Sequence, residues 1–173
     1  MPADHQLART AGFFLCNAPA NVLGQRLTAA IERRVAGGAS LLVTGGIQSF
    51  GRGGGYRGSA LEQLLPVKAA DTVWDIEQLP KPVKLTVVAE EQWLGGFNWA
   101  AGPTVECIQH TELKRDADVL IRAGEHHVLT RRREGEGYVY AWTAPGWGPA
   151  RTGFWNWPDW PRLCAALLGM RND

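Results

Sequence analysis

A chain of 173 residues can form one domain with a sizeable core, and 45% apolar with 20% charged residues is ordinary globular composition, which excludes wholesale disorder. A formal net charge of +1 creates no field to gather nucleic acid or an anionic membrane surface, so neither is an expected partner. The apolar runs fall well short of the roughly 18 to 20 residues that cross a bilayer, and the start MPADHQLART has no export signal, so a cytoplasmic protein is expected.

Gly12 to Cys16, GFFLC, reads as a buried strand. Asn17 to Asn21 forms a turn, with Asn21 as N-cap of a helix whose apolar positions Val22, Leu23, Leu27, Ala30, Ile31 and Val35 recur at helical spacing. Gly37-Gly38 stops that helix, and Leu41 to Thr44 is a second buried strand. A helical crossover between two apolar strands implies a parallel, right-handed βαβ unit. The second strand empties into a loop rich in glycine, Gly45 to Ser59. Few side chains stand there, so backbone N–H groups can approach a ligand, and in an open α/β sheet ligands bind beyond the carboxyl ends of the strands. The competing reading is that these glycines only satisfy tight turns.

Ala60 to Leu65 is a short helix closed by Pro66, and Thr72-Val73-Trp74 alternates like a strand. Val83 to Val88 is a strand beginning after a Pro80-Lys81-Pro82 breaker, and Glu90 to Trp99 is loop-like. Val105 to Leu113, Val119 to Arg122, Val128 to Arg132 and Tyr138 to Trp142 follow as strands, with Arg131 to Gly137 as a turn whose charges are solvated. Trp157 to Met170 is a closing helix. Four of the eight tryptophans, Trp147, Trp155, Trp157 and Trp160, fall in the last thirty residues and suggest an aromatic cluster.

The segment from Arg34 to Val67, RVAGGASLLVTGGIQSFGRGGGYRGSALEQLLPV, resembles a family of class I glutamine amidotransferase-like proteins. Trp93 to Asn98 (WLGGFN), Glu136 to Ala141, Pro145-Gly146-Trp147 and the terminal tryptophan-rich helix are similar to later landmarks of the same family. The resemblance implies an α/β fold over residues 1–173. It would be a flavodoxin-like, class I glutamine amidotransferase-like three-layer sandwich with a mainly parallel sheet and additional C-terminal strands. Two departures qualify it. Family members carry a further strand and helix ahead of Phe13 to Cys16, for which this chain has no room, so a homodimer or a partner chain is expected to cover that sheet edge. The family's chemistry also needs a cysteine on the turn after the central strand and a downstream histidine. This sequence has Gly45-Gly46-Ile47-Gln48-Ser49 at the turn and Ala89-Glu90-Glu91-Gln92 further on.

Substitute chemistry is limited. Ser49 is the available hydroxyl, but Ile47 occupies the first position of the Gly-x-Ser-x-Gly elbow, and a turn serine bonding the local backbone is the competing reading. Cys16 ends the first strand beside the same presumed crevice, where core packing competes with reactivity. The three cysteines, Cys16, Cys107 and Cys164, lack a CxxC spacing and are expected to be reduced. His126 and His127 are adjacent and so point to opposite faces of a strand; no metal and no cofactor are expected.

The reading is therefore a catalytically degenerate amidotransferase-like domain that binds a small ligand or a protein. The alternatives are a hydrolase of another type using Ser49 or Cys16, and a subunit completed at its sheet edge by a partner chain. The expected ligand contacts are Gly46, Gln48, Ser49, Phe50, Arg52 and Tyr56, with Asn98 and Trp147 reaching in from neighbouring loops.

Overall fold

The computed structural model describes residues 7, 9–72, 75–145 and 154–170. Strand β1 (Gly12–Cys16) leads into helix α1 (Ala20–Ala36), strand β2 (Ser40–Gly45), helix α2 (Ala60–Leu64) and strand β3 (Val67–Ala69). Six strands follow, β4 (Ile76–Val87), β5 (Thr104–Gln109), β6 (Thr111–Leu113), β7 (Ala117–Ala123), β8 (His126–Glu134) and β9 (Gly137–Pro145), then helix α3 (Trp160–Leu167). Seven strands form one sheet in the order β1-β2-β9-β8-β7-β4-β5, and β3 pairs with β6 in a small second sheet.

The expected βαβ unit is present: β1 and β2 run parallel, in register from Gly12 with Ser40 to Cys16 with Thr44. The parallel pairing continues only to β9, and every remaining ladder is antiparallel. The flavodoxin-like three-layer α/β sandwich with a mainly parallel sheet is thus corrected to a strand-rich mixed sheet with, among the described residues, three α-helices. The reason lies in the connections. Parallel neighbours need a long crossover, and the chain supplies one such helix, α1; the turns at Gly124-Glu125 and Gly135-Glu136 are too short to join anything but antiparallel strands.

Side chains alternate across β2 and β9 and so divide the core in two. Leu42, Tyr140 and Trp142 face α3 and pack with Trp160, Leu163, Cys164 and Leu167. Leu41, Val43, Val139 and Ala141 face the other way and pack with Ile31 and Val35 of α1 and with Leu61 and Leu65 beside α2. An aromatic cluster forms on the α3 side and takes in two of the four expected tryptophans, Trp157 and Trp160: Trp142 lies 5.0 Å from Trp160 and Trp99 lies 5.0 Å from Trp157 between ring centroids.

Several local expectations change. Pro19, not Asn21, caps α1, and Gly24 (φ 69, ψ 162) interrupts its helical backbone. Pro80-Lys81-Pro82 does not end a strand. β4 runs through it, and the pairing with β5 skips from Gln78 to Val83, a bulge that lets prolines sit where no ladder N–H is required. Val105 to Leu113 divides at His110 into β5 and β6, which belong to different sheets. The Arg131–Arg133 run is not simply solvated. Arg132 donates to the Gln63 carbonyl at 2.6 Å and pairs with Asp116 at 2.7 Å, and Lys114 donates to the Glu62 carbonyl at 2.6 Å. Two cations thereby meet the carbonyl end of α2, where the helix dipole favours them. Val73, Trp74 and Trp147 lie outside the described residues.

Candidate functional site

The glycine loop leaves the carboxyl end of β2, as the sequence implies, but its donors are occupied from within. Gly46 N–H donates to the Gln109 side chain at 2.6 Å and Gln48 N–H to the Asn17 side chain at 2.8 Å. Asp75 takes both Arg52 N–H, at 3.1 Å, and Gly53 N–H, at 2.9 Å. Successive backbone N–H groups make an anion-binding concavity, and here the protein's own carboxylate fills it. Gly53 itself has no room for more, since a Cβ there would stand 2.5 Å from the Ile47 carbonyl oxygen. Alanine at Asp75 removes two hydrogen bonds to a charged acceptor and is expected to cost about 2 kcal/mol in a half-buried setting. Urea unfolding checks this, with Asp75→Asn, which keeps one acceptor oxygen, expected to lose about half as much.

The remaining nominated residues divide. Ser49, Phe50 and Tyr56 are buried, Ser49 at 1% exposure, and Phe50 and Tyr56 belong to the core against α1 and α2. The Tyr56 hydroxyl donates to the Ala18 carbonyl at 2.7 Å. Burial pushes its pKa up to about 12, and the neighbouring Ser49 hydroxyl offsets part of that rise without reaching good hydrogen-bond geometry. No histidine or carboxylate partners Ser49 among the described residues. Arg52 is exposed and stands 3.7 Å from Asp71. Asn98 accepts from Ala101 N–H at 3.2 Å and its own N–H donates to Asp159 at 2.8 Å. That places Asn98 beside the start of α3, on the opposite side of the sheet from Phe50 and Tyr56, so the structure does not bring these residues together.

The thiols are free. Cys16 is exposed at the end of β1, while burial, with a smaller push from Cys16, raises the Cys164 thiol to about 12. Burial and the Glu106 charge raise Cys107 as well. Among the described residues no group of three or more His, Cys, Asp or Glu side chains is arranged to hold a metal ion.

Three cavities lined by described residues lie elsewhere. One, of about 390 Å³, opens at the amino ends of β2 and β9 on the α3 side, between Ser40, Glu91, Trp93, Arg131, Tyr138 and Tyr140. Its lining includes an ion pair: Arg131 Nη1 donates to Glu91 Oε1 at 2.8 Å, and Nη2 reaches Asp118, outside the lining, at 3.1 Å. Trp93 Nε1–H donates to the other Glu91 oxygen at 3.0 Å, and the Arg131 guanidinium lies 5.2 Å from the centre of the Tyr138 ring. Burial draws the Arg131 pKa down, and its hydrogen bonds to Asp118 and Glu91 more than restore it, so the group is held charged. A second cavity, of about 450 Å³ and largely apolar, shares Trp93 and Ala166 with the first and runs along α3 past Phe97, Arg162 and Met170.

Sequence reasoning missed this cleft. In the sequence Glu91 falls in a loop-like stretch and Tyr138 and Tyr140 are strand residues, and their convergence depends on β8, β9, α3 and the turn at Gln92–Gly96 meeting in space. The signal present in the sequence was the Glu91-x-Trp93 spacing, which lets an indole N–H fix its neighbour's carboxylate.

A third cavity, of about 200 Å³, lies among Glu77, His110, Glu125, His126 and His127. His127 Nε2 is 2.8 Å from the Thr111 hydroxyl, and burial first, then the charges of Arg122 and His126, lowers its pKa below the ordinary histidine value. The unfolded chain therefore takes up this proton first as pH falls, so the contribution is intact above about pH 6.5 and is lost on descending toward the folded-state pKa. Unfolding free energies measured between pH 7 and 5 should fall less steeply for His127→Gln than for the parent chain, and equal slopes would refute the assignment.

No family model matches the chain, and no curated protein does. In fold it is similar to two proteins of Salmonella typhimurium, both at TM-score 0.80 and 22% identity. The cytoplasmic protein STM1381 of strain LT2 is matched over 99% of this chain and 77% of its own length. The cytoplasmic protein STM3548 is matched over 98% and 75%. It is also similar to part of the exo-β-1,4-mannosidase Op5Man5 of Opitutaceae bacterium strain TAV5, at TM-score 0.55 and 18% identity over 100% of this chain and 27% of that one. These likenesses concern the fold alone. They do not support the glutamine-amidotransferase designation, which is corrected along with the flavodoxin-like fold class. No helix among the described residues is long and apolar enough to cross a membrane.

Proposed function

We propose that this protein works by binding a small molecule in the cleft between Glu91, Trp93, Arg131 and Tyr138, with no chemistry from the glycine loop. The observation that carries the reading is the fixed Arg131–Glu91 pair lining a half-open cleft whose volume lies in the range of small-ligand sites. The loop at the other end of β2 supports it by contrast, since Asp75 and Gln109 occupy donors that a ligand would need and Ser49 has no base among the described residues. A cytoplasmic setting accords with the names of the two Salmonella proteins and with three unpaired thiols. Amide-resolved NMR against a mixed library of small polar compounds tests the proposal. Saturable shifts at Tyr138, Tyr140 and Gly169 are expected, and responses confined to Gly46–Gly58 would refute it.

A second reading, a subunit completed at the sheet edge, rests on β1. Among the described residues it pairs only with β2, and its Phe14 is 40% exposed. An edge strand with unpaired backbone groups and an exposed aromatic is a template for another strand. Light scattering that reports a monomer at every concentration would remove this reading, and Phe14→Lys is expected to weaken any dimer that is found.

A further inference from the structure

Building on the cleft reading, we infer that its ligand is a neutral, hydroxyl-rich ring of monosaccharide size. The argument starts from the charges. Arg131 and Glu91 are 19% and 29% exposed in their side chains and neutralise each other, with Asp118 as a second carboxylate on the guanidinium. A carboxylate or phosphate would meet Glu91, and an ammonium would meet a guanidinium already seated over Tyr138. Either ligand is therefore brought up against a like charge, Glu91 or Arg131, in a pair that stands largely out of water, where like-charge juxtaposition is costly.

Neutral hydroxyls face no such conflict. The Glu91 carboxylate has room for about four hydrogen bonds and spends one on each oxygen, on Arg131 and on Trp93. Ser40 and Tyr138, both lining the cleft, carry hydroxyls that donate and accept. The ligand thus has to offer donors and acceptors together around its rim, as a polyol does and a simple ion does not. Trp93 sets the rest of the shape. Its ring borders both this cavity and the apolar one along α3, so the ligand needs an aliphatic C–H face to lie against it. The fixed Glu91–Arg131–Asp118 chain costs no ordering when such a ring enters, since its hydrogen bonds already exist.

The test titrates the full chain with D-glucose, D-galactose and myo-inositol, and in parallel with glucuronate and glucosamine, following the amides of Tyr138, Tyr140 and Gly169 by NMR. At least one neutral compound is expected to give saturable shifts there and to bind about tenfold or more tightly than either charged analogue. Trp93→Ala should weaken that binding up to about tenfold. Tyr138→Phe, which keeps the ring and the fold, should weaken it through loss of the hydroxyl alone. Charged analogues binding equally well or better at the same amides would overturn the ligand class and leave the cleft standing. No response at these amides to any of the five probes, with the protein folded, would overturn the ligand class, while a library compound that does shift them would preserve the cleft itself.

Discussion

Alanine at position 142 is expected to cost about 4 kcal/mol of stability, within the usual span for deleting a buried aromatic side chain. Trp142 is fully buried, at 0% exposure, and stands edge-on to Phe154 at 5.1 Å and to Trp160 at 5.0 Å between ring centroids. It rises from β9, flanked in register by Thr44 of β2 and Leu129 of β8, so it lies where the parallel and antiparallel halves of the sheet join. The ring is also what α3 rests on, since Trp160, Leu163 and Leu167 pack into the same cluster. Removing it leaves a void lined by the sheet on one side and α3 on the other, and the rigid sheet cannot collapse to fill it. Thermal unfolding should begin roughly 8–16 °C lower, given how little such changes move a domain of this size per kcal/mol. A loss under about 1 kcal/mol would mean that α3 is not seated on the sheet as described.

The same residues show what the sequence made legible. β1, α1 and β2 could be read because each is a local pattern: a short apolar run, a 3.6-residue periodicity with a glycine stop, and a second apolar run. Their parallel pairing followed from the length of the crossover alone. The strand order did not follow. That β9 inserts beside β2, with β8, β7, β4 and β5 beyond it, depends on pairings between residues far apart in the chain, which no local window contains. The proline pair in β4 misled for the same reason, because a bulge is visible only once the partner strand is known.

The candidate site illustrates the harder case. A glycine-rich turn at a strand end carries the same sequence signature whether its amides face a ligand or a carboxylate of the protein, and Asp75, which settles the matter, lies on a separate segment just ahead of β4. The cleft was hard to read for the opposite reason. Beyond the Glu91-x-Trp93 spacing its residues carry no signature: Tyr138 and Tyr140 look like any β-strand aromatics, and Arg131 sits in a run of three arginines of which it alone reaches Glu91.

Gly137→Ala is expected to cost about 3 kcal/mol, the upper part of the range for forcing atoms into a packed interior. A Cβ on Gly137 would press against the carbonyl oxygens of Ala39 and Val35, both backbone atoms that no rotamer change can move aside. The contact exists because the β8–β9 turn folds onto the end of α1, where Glu136 N–H donates to the Ala36 carbonyl at 2.9 Å. Relief therefore requires β9 to shift away from α1 and from β2, with which it is in register at Tyr138 and Ser40. Those two residues line the cleft, so the substitution should loosen the site as well as the fold. Gly96→Ala is the matched control. Nothing lies within 4 Å of a Cβ there, and its change in stability should stay within about 0.5 kcal/mol. Denaturant unfolding of the two variants side by side gives the answer. If Gly137→Ala unfolds like Gly96→Ala, the turn does not rest on α1, and the wall that positions Tyr138 is not where the structure puts it.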